Sequence, residues 1–339
     1  MNCPFSCSQE QSHSHSPSES FAEKGSGSIL KTLGLVTGGL ALAGLGVYLY
    51  ASRIESRRFR LETVEVATPG GAGQPVQPKK NGDGRPHFTR NLKILHISDL
   101  HLHAPEREKV QFLRQCYEQE YDMVVLTGDI FENYSGIRYA QDLLARPPRL
   151  GAFAVLGNHD YYHYSWFSKV AGRIHPKYRP KVRRDVLPMI DALQETGFVV
   201  LQNEAHALDD FGIYVVGVDY PGIKESELRN LVSRAPAGHF VLALFHLPIN
   251  LEAFARAGVH LAVGGHTHGG QIRLPGVGAL ITDSELGRKE ASGLTWRGNT
   301  AIHVSRGLGA DPRTNFRLFC PPAATVLDVT HTQPAYAPR

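Results

Sequence analysis

Cysteine is scarce in this 339-residue chain: four residues, at positions 3, 7, 116 and 320, with no paired spacing. That excludes a disulfide framework and a paired-cysteine zinc module. A strong charge balance is missing too. The formal net charge of +4 gives no reason to expect a nucleic-acid partner. No internal repeat is present, which excludes solenoid and propeller architectures. Two local absences matter more. No charged residue occurs from Thr32 to Ala51, and no acidic residue from Tyr161 to Arg184.

The uncharged run, TLGLVTGGLALAGLGVYLYA, is about the 20 residues a membrane-spanning helix requires. It exceeds the apolar core of a cleaved signal peptide. It also ends in Tyr48, Tyr50 and Arg53, which suit the membrane interface. Residues 29–52 therefore read as a single transmembrane anchor. Residues 1–28, rich in Ser, read as a disordered polar tail. Arg53, Arg57, Arg58 and Arg60 follow the span while only Lys24 and Lys31 precede it, so the positive-inside rule puts the carboxyl-terminal side in the cytoplasm. Residues 53–90, basic and then Gly/Pro-rich, read as a linker whose Thr68–Pro86 stretch acts as a flexible tether. The catalytic-type domain is expected over 91–330, with a tail at 331–339.

Within that domain, apolar runs at Leu92–Ile97, Met123–Leu126, Phe153–Leu156, Val241–Phe245 and Leu261–Val263 read as buried strands. Each is followed by ligand-type residues: Asp99-Leu100-His101, Gly128-Asp129, Gly157-Asn158-His159-Asp160, His246, and Gly265-His266-Thr267-His268-Gly269-Gly270. Ligands of open α/β folds collect outside the carboxyl ends of strands, so these five ends define one pocket. Carboxylate and imidazole without thiolate suit divalent Mn, Zn or Fe. In an extended strand end, residues two apart share a face, so His266 and His268 should both point into the pocket. Taken singly, each motif reads as a turn or a core residue; together they read as a metal site. His96, His206, His239, His260 and His303 lie outside every motif and read as ordinary structural histidines.

Elsewhere Glu106–Glu120, Asp185–Thr196, Leu228–Ser233 and Leu251–Ala257 read as helices. Phe198–Leu201, Ile213–Val218, Ala301–Ser305 and Thr325–Val329 read as strands. Periodicity alone supports a mixed α/β class.

In this order the motifs resemble the calcineurin-like metallophosphoesterase superfamily, over roughly Leu92 to Val329. The resemblance implies two packed mixed β-sheets flanked by helices, with two divalent metal ions at one edge. It also implies that Asp129 bridges the metals, that Asp99, His101 and His268 complete one site, and that Asn158, His246 and His266 complete the other. His159 is implied as the catalytic group at the leaving oxygen. Gly265–Ile272 and Ser305-Arg306-Gly307-Leu308-Gly309 are most similar to a membrane-associated bacterial branch that includes a UDP-diacylglucosamine pyrophosphatase of lipid A synthesis. The expected function is hydrolysis of a phosphodiester or pyrophosphate bond in a phosphate-containing, lipid-linked substrate at the inner membrane. A generic envelope phosphodiesterase and a non-catalytic scaffold of the same fold are the alternatives. The acid-free Tyr161–Arg184 segment mixes aromatic and basic residues, a composition suited to anionic headgroups and hence to substrate capture.

Overall fold

In the computed structural model, residues 22–68, 91–164, 175, 183–310 and 315–331 are described. The chain divides into two units, Met1–Leu49 and Tyr50–Arg339. The first contains helix α1, Ala22–Leu49. The helix starts inside the stretch expected to be a polar tail, where Ala22-Glu23-Lys24 supplies good helix formers. Among the described residues, one segment, Lys31–Arg57, is long and apolar enough to cross a membrane.

The second unit runs through β1 (Arg60–Thr68), β2 (Leu92–Ile97), α2 (Arg107–Cys116), β3 (Met123–Thr127), a 3₁₀ helix (Tyr134–Leu144), β4 (Ala152–Val155), the short α3 (Asn158–Tyr161) and α4 (Leu187–Thr196). It continues through β5 (Phe198–Val200), β6 (Glu204–Leu208), β7 (Ile213–Gly217), α5 (Glu225–Val232), β8 (Phe240–Leu244), α6 (Leu251–Ala257) and β9 (Leu261–Gly264). The hairpin β10–β11 (Arg273–Leu274 and Gly278–Ala279), β12 (Gly293–Arg297), β13 (Thr300–Val304) and β14 (Ala323–His331) complete it. Two six-stranded sheets form, in the orders β1-β14-β2-β3-β4-β5 and β12-β13-β9-β8-β7-β6. Strands β2 to β5 are mutually parallel, as are β7, β8, β9 and β13. Each sheet therefore presents several carboxyl ends along one edge.

Side-chain alternation builds three layers of core. Leu92 and Ile94 of β2, Met123 and Val125 of β3, and Phe240, Leu242 and Leu244 of β8 fill the space between the sheets. Leu95, Ile97, Val124 and Leu126 point the other way, onto α2, the 3₁₀ helix and α4. Val241, Ala243 and Phe245 meet α5 and α6. Truncating a fully buried leucine such as Leu242 to Ala would cost ~2–5 kcal/mol.

The expected linker is corrected at its start. Arg60–Thr68 forms a nine-residue strand, paired in parallel with β14. Its pattern is an edge strand's: Val66 and Thr68 are buried, while Glu65 and Ala67 face out. Alternating charge next to an arginine-rich run obscured it. Since β1 and β2 share a sheet, the Gly/Pro-rich stretch between them is a connection internal to the domain and not a tether in front of it. Its residues 69–90 lie outside the described residues, as do the tails 1–21 and 332–339 and most of the basic aromatic segment.

Candidate metal centre

Every ligand-type residue expected from sequence lies just past a strand end, and the structure brings them together. Asp99 and His101 follow β2, Asp129 follows β3, Asn158 and His159 open α3 after β4, His246 follows β8, and His266 and His268 follow β9. One oxygen or ring nitrogen each from Asp99, His101, Asp129 and His268 lies within 4.8 Å of the others, and the same holds for Asp129, His246 and His266. Asp129 belongs to both groups. Asn158 Oδ1 joins the second group, 3.0 Å from His246 Nε2 and 2.9 Å from His266 Nδ1.

The backbone that achieves this is irregular. Asp99, His101, Asp129, His266 and His268 all have positive φ, between 46° and 73°. Non-glycine residues adopt such values rarely, and clusters of them mark sites where geometry is imposed by function. The expected extended alternation of His266 and His268 is thus corrected. β9 ends at Gly264, and two left-handed residues and a 3₁₀ turn, His268–Gly270, turn both rings inward. Glycine is required where loops close on the ligands. A Cβ on Gly157 would collide with Asp129 Oδ1, and one on Gly307 with Asp99 Cβ.

Hydrogen bonds on the outward ring nitrogens fix the tautomers. His101 Nδ1 donates to Glu132 Oε2 (3.1 Å), His246 Nδ1 to the Thr127 carbonyl (2.8 Å), and His268 Nδ1 to the Gly309 carbonyl (3.3 Å). Each Nε2 then presents a lone pair inward. His101 Nε2 and His268 Nε2 face each other at 3.2 Å, and His246 Nε2 lies 3.3 Å from Asp129 Oδ1. So many converging acceptors repel unless a cation stands among them, and neutral imidazole with carboxylate is the donor set of a borderline divalent metal. The residues fit the group.

Electrostatics agree. Burial opposes protonation of His246, yet the carboxylates of Asp129 and Asp99 raise its pKa to about 9. The pocket seeks positive charge. Burial also works against the charge on Asp129, but His246 and His159 hold its carboxyl well below the usual range. Asp99, where burial dominates, is pushed up.

Several site residues had not been singled out. Glu132 is buried and accepts from both His101 and His159 through one oxygen, at 3.1 and 2.9 Å. Burial works against its charge, but the two imidazole donors hold its carboxyl far below the usual value. Its signal was a carboxylate three residues after Asp129 in an otherwise apolar Ile130-Phe131 stretch. Asp160 accepts from the backbone N–H of Gly157, Ile130 and Phe131, locking the two loops together (2.8, 3.0 and 2.9 Å). Arg317, wholly buried, donates to the carbonyls of Arg306, Gly307, Gly309 and Cys320, clamping the loop beside His268. A single base inside Phe316-Arg317-Leu318-Phe319 was its signal.

His159 lies with its ring edge-on to His101 (centroids 4.6 Å apart) and stacked on Tyr164 (4.7 Å). Burial lowers its pKa, against the opposing pull of the Asp129 and Glu132 carboxylates. Its backbone N–H donates to Asp129 Oδ1 (2.7 Å), and Arg184 donates to its carbonyl (2.9 Å). An open cavity of about 480 Å³ adjoins the centre, lined by His101, His103, Arg57, Phe59, Arg107 and Leu308 among others.

Comparison with known proteins agrees with this geometry. A family model for calcineurin-like phosphoesterases matches residues 92–270. An uncharacterized metallophosphoesterase of Aquifex aeolicus is 31% identical over 251 residues, covering 70% of this chain and 85% of the relative. The UDP-2,3-diacylglucosamine pyrophosphatase LpxG of Chlamydia muridarum is 26% identical, covering 70% of this chain and 83% of the relative. The phosphodiesterase YaeI of Escherichia coli is 27% identical, covering 70% and 82% respectively. The chain belongs to the calcineurin-like phosphoesterase family, hydrolases of phosphate esters.

Proposed function

We propose that the chain is a membrane-anchored, two-metal phosphodiesterase or pyrophosphatase acting on an amphiphilic, lipid-linked phosphate. Hydrolysis of UDP-2,3-diacylglucosamine to UMP and the acyl-sugar phosphate is the specific reading. The observation that carries the two-metal assignment is the sharing of Asp129 by two ligand groups, Asp99–His101–His268 and Asn158–His246–His266. Two divalent ions held there, Mn, Zn or Fe, would supply Lewis-acid stabilisation of an in-line displacement at phosphorus.

The chain's own residues do the rest. Glu132 and the carbonyls of Thr127 and Gly309 hold the imidazoles in the metal-binding tautomer. Glu132 accepts from His159 Nδ1 and so favours a proton on the ring against the opposing effect of burial, and Tyr164 stacks on it; in the protonated form Nε2 would donate to the departing oxygen. The cavity beside His101 is lined by charged side chains of both signs, Arg57, Arg107 and Lys109 with Glu106 and Glu108, next to apolar Phe59 and Leu308, so polar and apolar parts of a substrate can both be accommodated. The donor set is complete, which favours an enzyme over a scaffold of the same fold. The similarity to LpxG and the apolar helix support the lipid-linked substrate.

The test is turnover of UDP-2,3-diacylglucosamine and of a soluble aryl phosphodiester with Mn, Zn or Fe, alongside metal content. Asp129→Asn should lose metal and turnover together. His159→Ala should keep metal and lose ~10²–10⁴-fold in rate. An Asp129→Asn chain that keeps two metals and normal turnover overturns the bridging role. Hydrolysis of the soluble ester alone overturns the lipid substrate.

A further inference from the structure

The loop that leaves the metal centre carries an unusual surface. After His268 the chain forms the β10–β11 hairpin, and Leu274, Val277, Leu280 and Ile281 are 40%, 44%, 40% and 55% exposed. Phe319, 58% exposed, stands on the adjoining strip. The strip is sewn to the hairpin by Arg273 N–H to the Leu318 carbonyl (2.9 Å) and Leu318 N–H to the Gln271 carbonyl (2.9 Å). Arg273, Leu274, Pro275, Lys289 and Phe319 line one shallow depression. Scattered exposed apolar residues need no explanation, but contiguous ones on a tight hairpin do.

Two further observations say what covers this surface. The first is charge. Arg288 and Lys289 are exposed beside the hairpin, and the Arg288 carbonyl accepts from Ala279 N–H (2.8 Å). Two exposed carboxylates, Asp283 and Glu285, follow Ile281, and Glu285 is turned to the Asn250 and Leu251 N–H groups, from which it accepts (2.9 and 2.7 Å). Apolar tips flanked by basic side chains match the boundary of an anionic bilayer, where the tips enter the acyl region and the bases meet phosphate. The second is continuity with the point where the chain enters the domain. The Ala51 carbonyl accepts from Arg317 N–H (3.1 Å), and Glu55 Oε1 accepts from Cys320 N–H (2.7 Å). Those two bonds bracket Phe319. Ile54 in the same entry segment is 53% exposed, and Ser56, Arg57 and Phe59 line the cavity beside His101.

We propose that the β10–β11 hairpin and Phe319 form a second membrane contact, inserting into the anionic bilayer that the apolar helix spans. Together with the entry segment it holds the metal centre's rim against the headgroups. The inference rests on the membrane-anchored reading above and adds to it a fixed attitude of the domain. A bound lipid-linked phosphate would then reach the centre without leaving the membrane surface.

The test uses the full chain with Cys3 and Cys7 changed to Ser, since Cys116 and Cys320 are buried. Val277→Cys at the hairpin tip, or Glu195→Cys on α4 as control, carries an environment-sensitive nitrobenzoxadiazole label. The protein is reconstituted into phosphatidylcholine–phosphatidylglycerol vesicles with or without nitroxide-bearing lipid. Flotation reports the helix anchor, and quenching reports the hairpin; neither needs catalysis. The expected result is flotation of both proteins, with the label at 277 blue-shifted and quenched several-fold more than at 195. Flotation with both labels equally aqueous overturns the second contact and leaves the anchor standing. A blue shift at 277 without lipid quenching means a protein covers the hairpin, and overturns it too. Failure to float overturns both.

Discussion

Glu132 is the residue on which two functions of the centre converge. One carboxylate oxygen holds His101, a proposed ligand, and His159, the proposed group at the leaving oxygen. Carboxylates behind ligating histidines fix the tautomer and raise ligand basicity, and their loss typically costs 10–100-fold in metal affinity. Glu132→Gln should therefore weaken metal binding by about that factor, measured by chelator competition. Turnover at saturating metal should stay depressed, because His159 loses its partner as well. The alkaline and acid limbs of the rate profile should also move, which loss of packing alone would not cause. Unchanged metal affinity and an unchanged pH profile would reduce Glu132 to a filler of space.

At the scale of elements, the two sheets are joined beneath the centre by polar contacts as well as apolar ones. His96 of β2 and His303 of β13 meet through their Nδ1 atoms at 3.0 Å, and His96 Nε2 reaches Thr127 Oγ1 at 2.8 Å. Burial pushes the His303 pKa down to about 3, and holds His96 well below its ordinary value, with His303 adding to the effect. The sign follows from proton counting. Below pH ~6.5 the unfolded chain binds protons that the folded chain excludes, so this pair lowers stability as pH falls from about 6.5 toward about 3. Each such group contributes a slope of ~1.4 kcal/mol per pH unit inside its window. His303→Gln removes one titrating group while keeping a donor and an acceptor. Denaturant unfolding between pH 7 and about 4 should show a shallower decline for the variant. Parallel curves would mean that His303 is already charged in the fold.

The same elements show what was legible beforehand. The runs Leu92–Ile97, Val241–Phe245 and Leu261–Val263 announce strands because burial on both faces leaves them apolar throughout. The ligand motifs announce themselves because metal donors are chemically unlike their apolar neighbours. What stayed hidden depends on partners distant in sequence. β1 is a charged edge strand that acquires meaning only beside β14. β6 and β12, with exposed Glu204 and Trp296, are also edge strands. His96 resembles any core histidine until His303, 207 residues later, lies against it. Arg317 looks like a surface base until the backbone carbonyls of His268, Arg306, Gly307, Gly309 and Cys320 close around it. The inward turn of His266 and His268 depends on left-handed backbone that no periodicity encodes.

At the scale of the whole molecule, the moved domain boundary changes what the anchor would do. With β1 built into the sheet, the second unit begins at Tyr50, the residue after α1. Arg57, in the basic run after the uncharged stretch, is then part of the folded domain and pairs with Glu108 (3.2 Å), while Glu62 of β1 pairs with Arg306 from the far end of the domain. The bias of Arg53, Arg57, Arg58 and Arg60 over Lys24 and Lys31 is the ground on which we propose that the domain lies in the cytoplasm, the compartment where UDP-sugars are made. A phosphatase reporter active only outside the cytoplasm, fused after Arg339, should give no signal, whereas a cytoplasm-active reporter at the same position should. Exchanging Arg53 and Arg58 for Gln while adding Lys before Lys31 should move some chains to the opposite orientation, and signal should appear in proportion. Strong signal from the unmodified chain would reverse the orientation and remove the nucleotide-linked lipid as substrate. An envelope phosphodiester would then be the reading that the same metal centre supports.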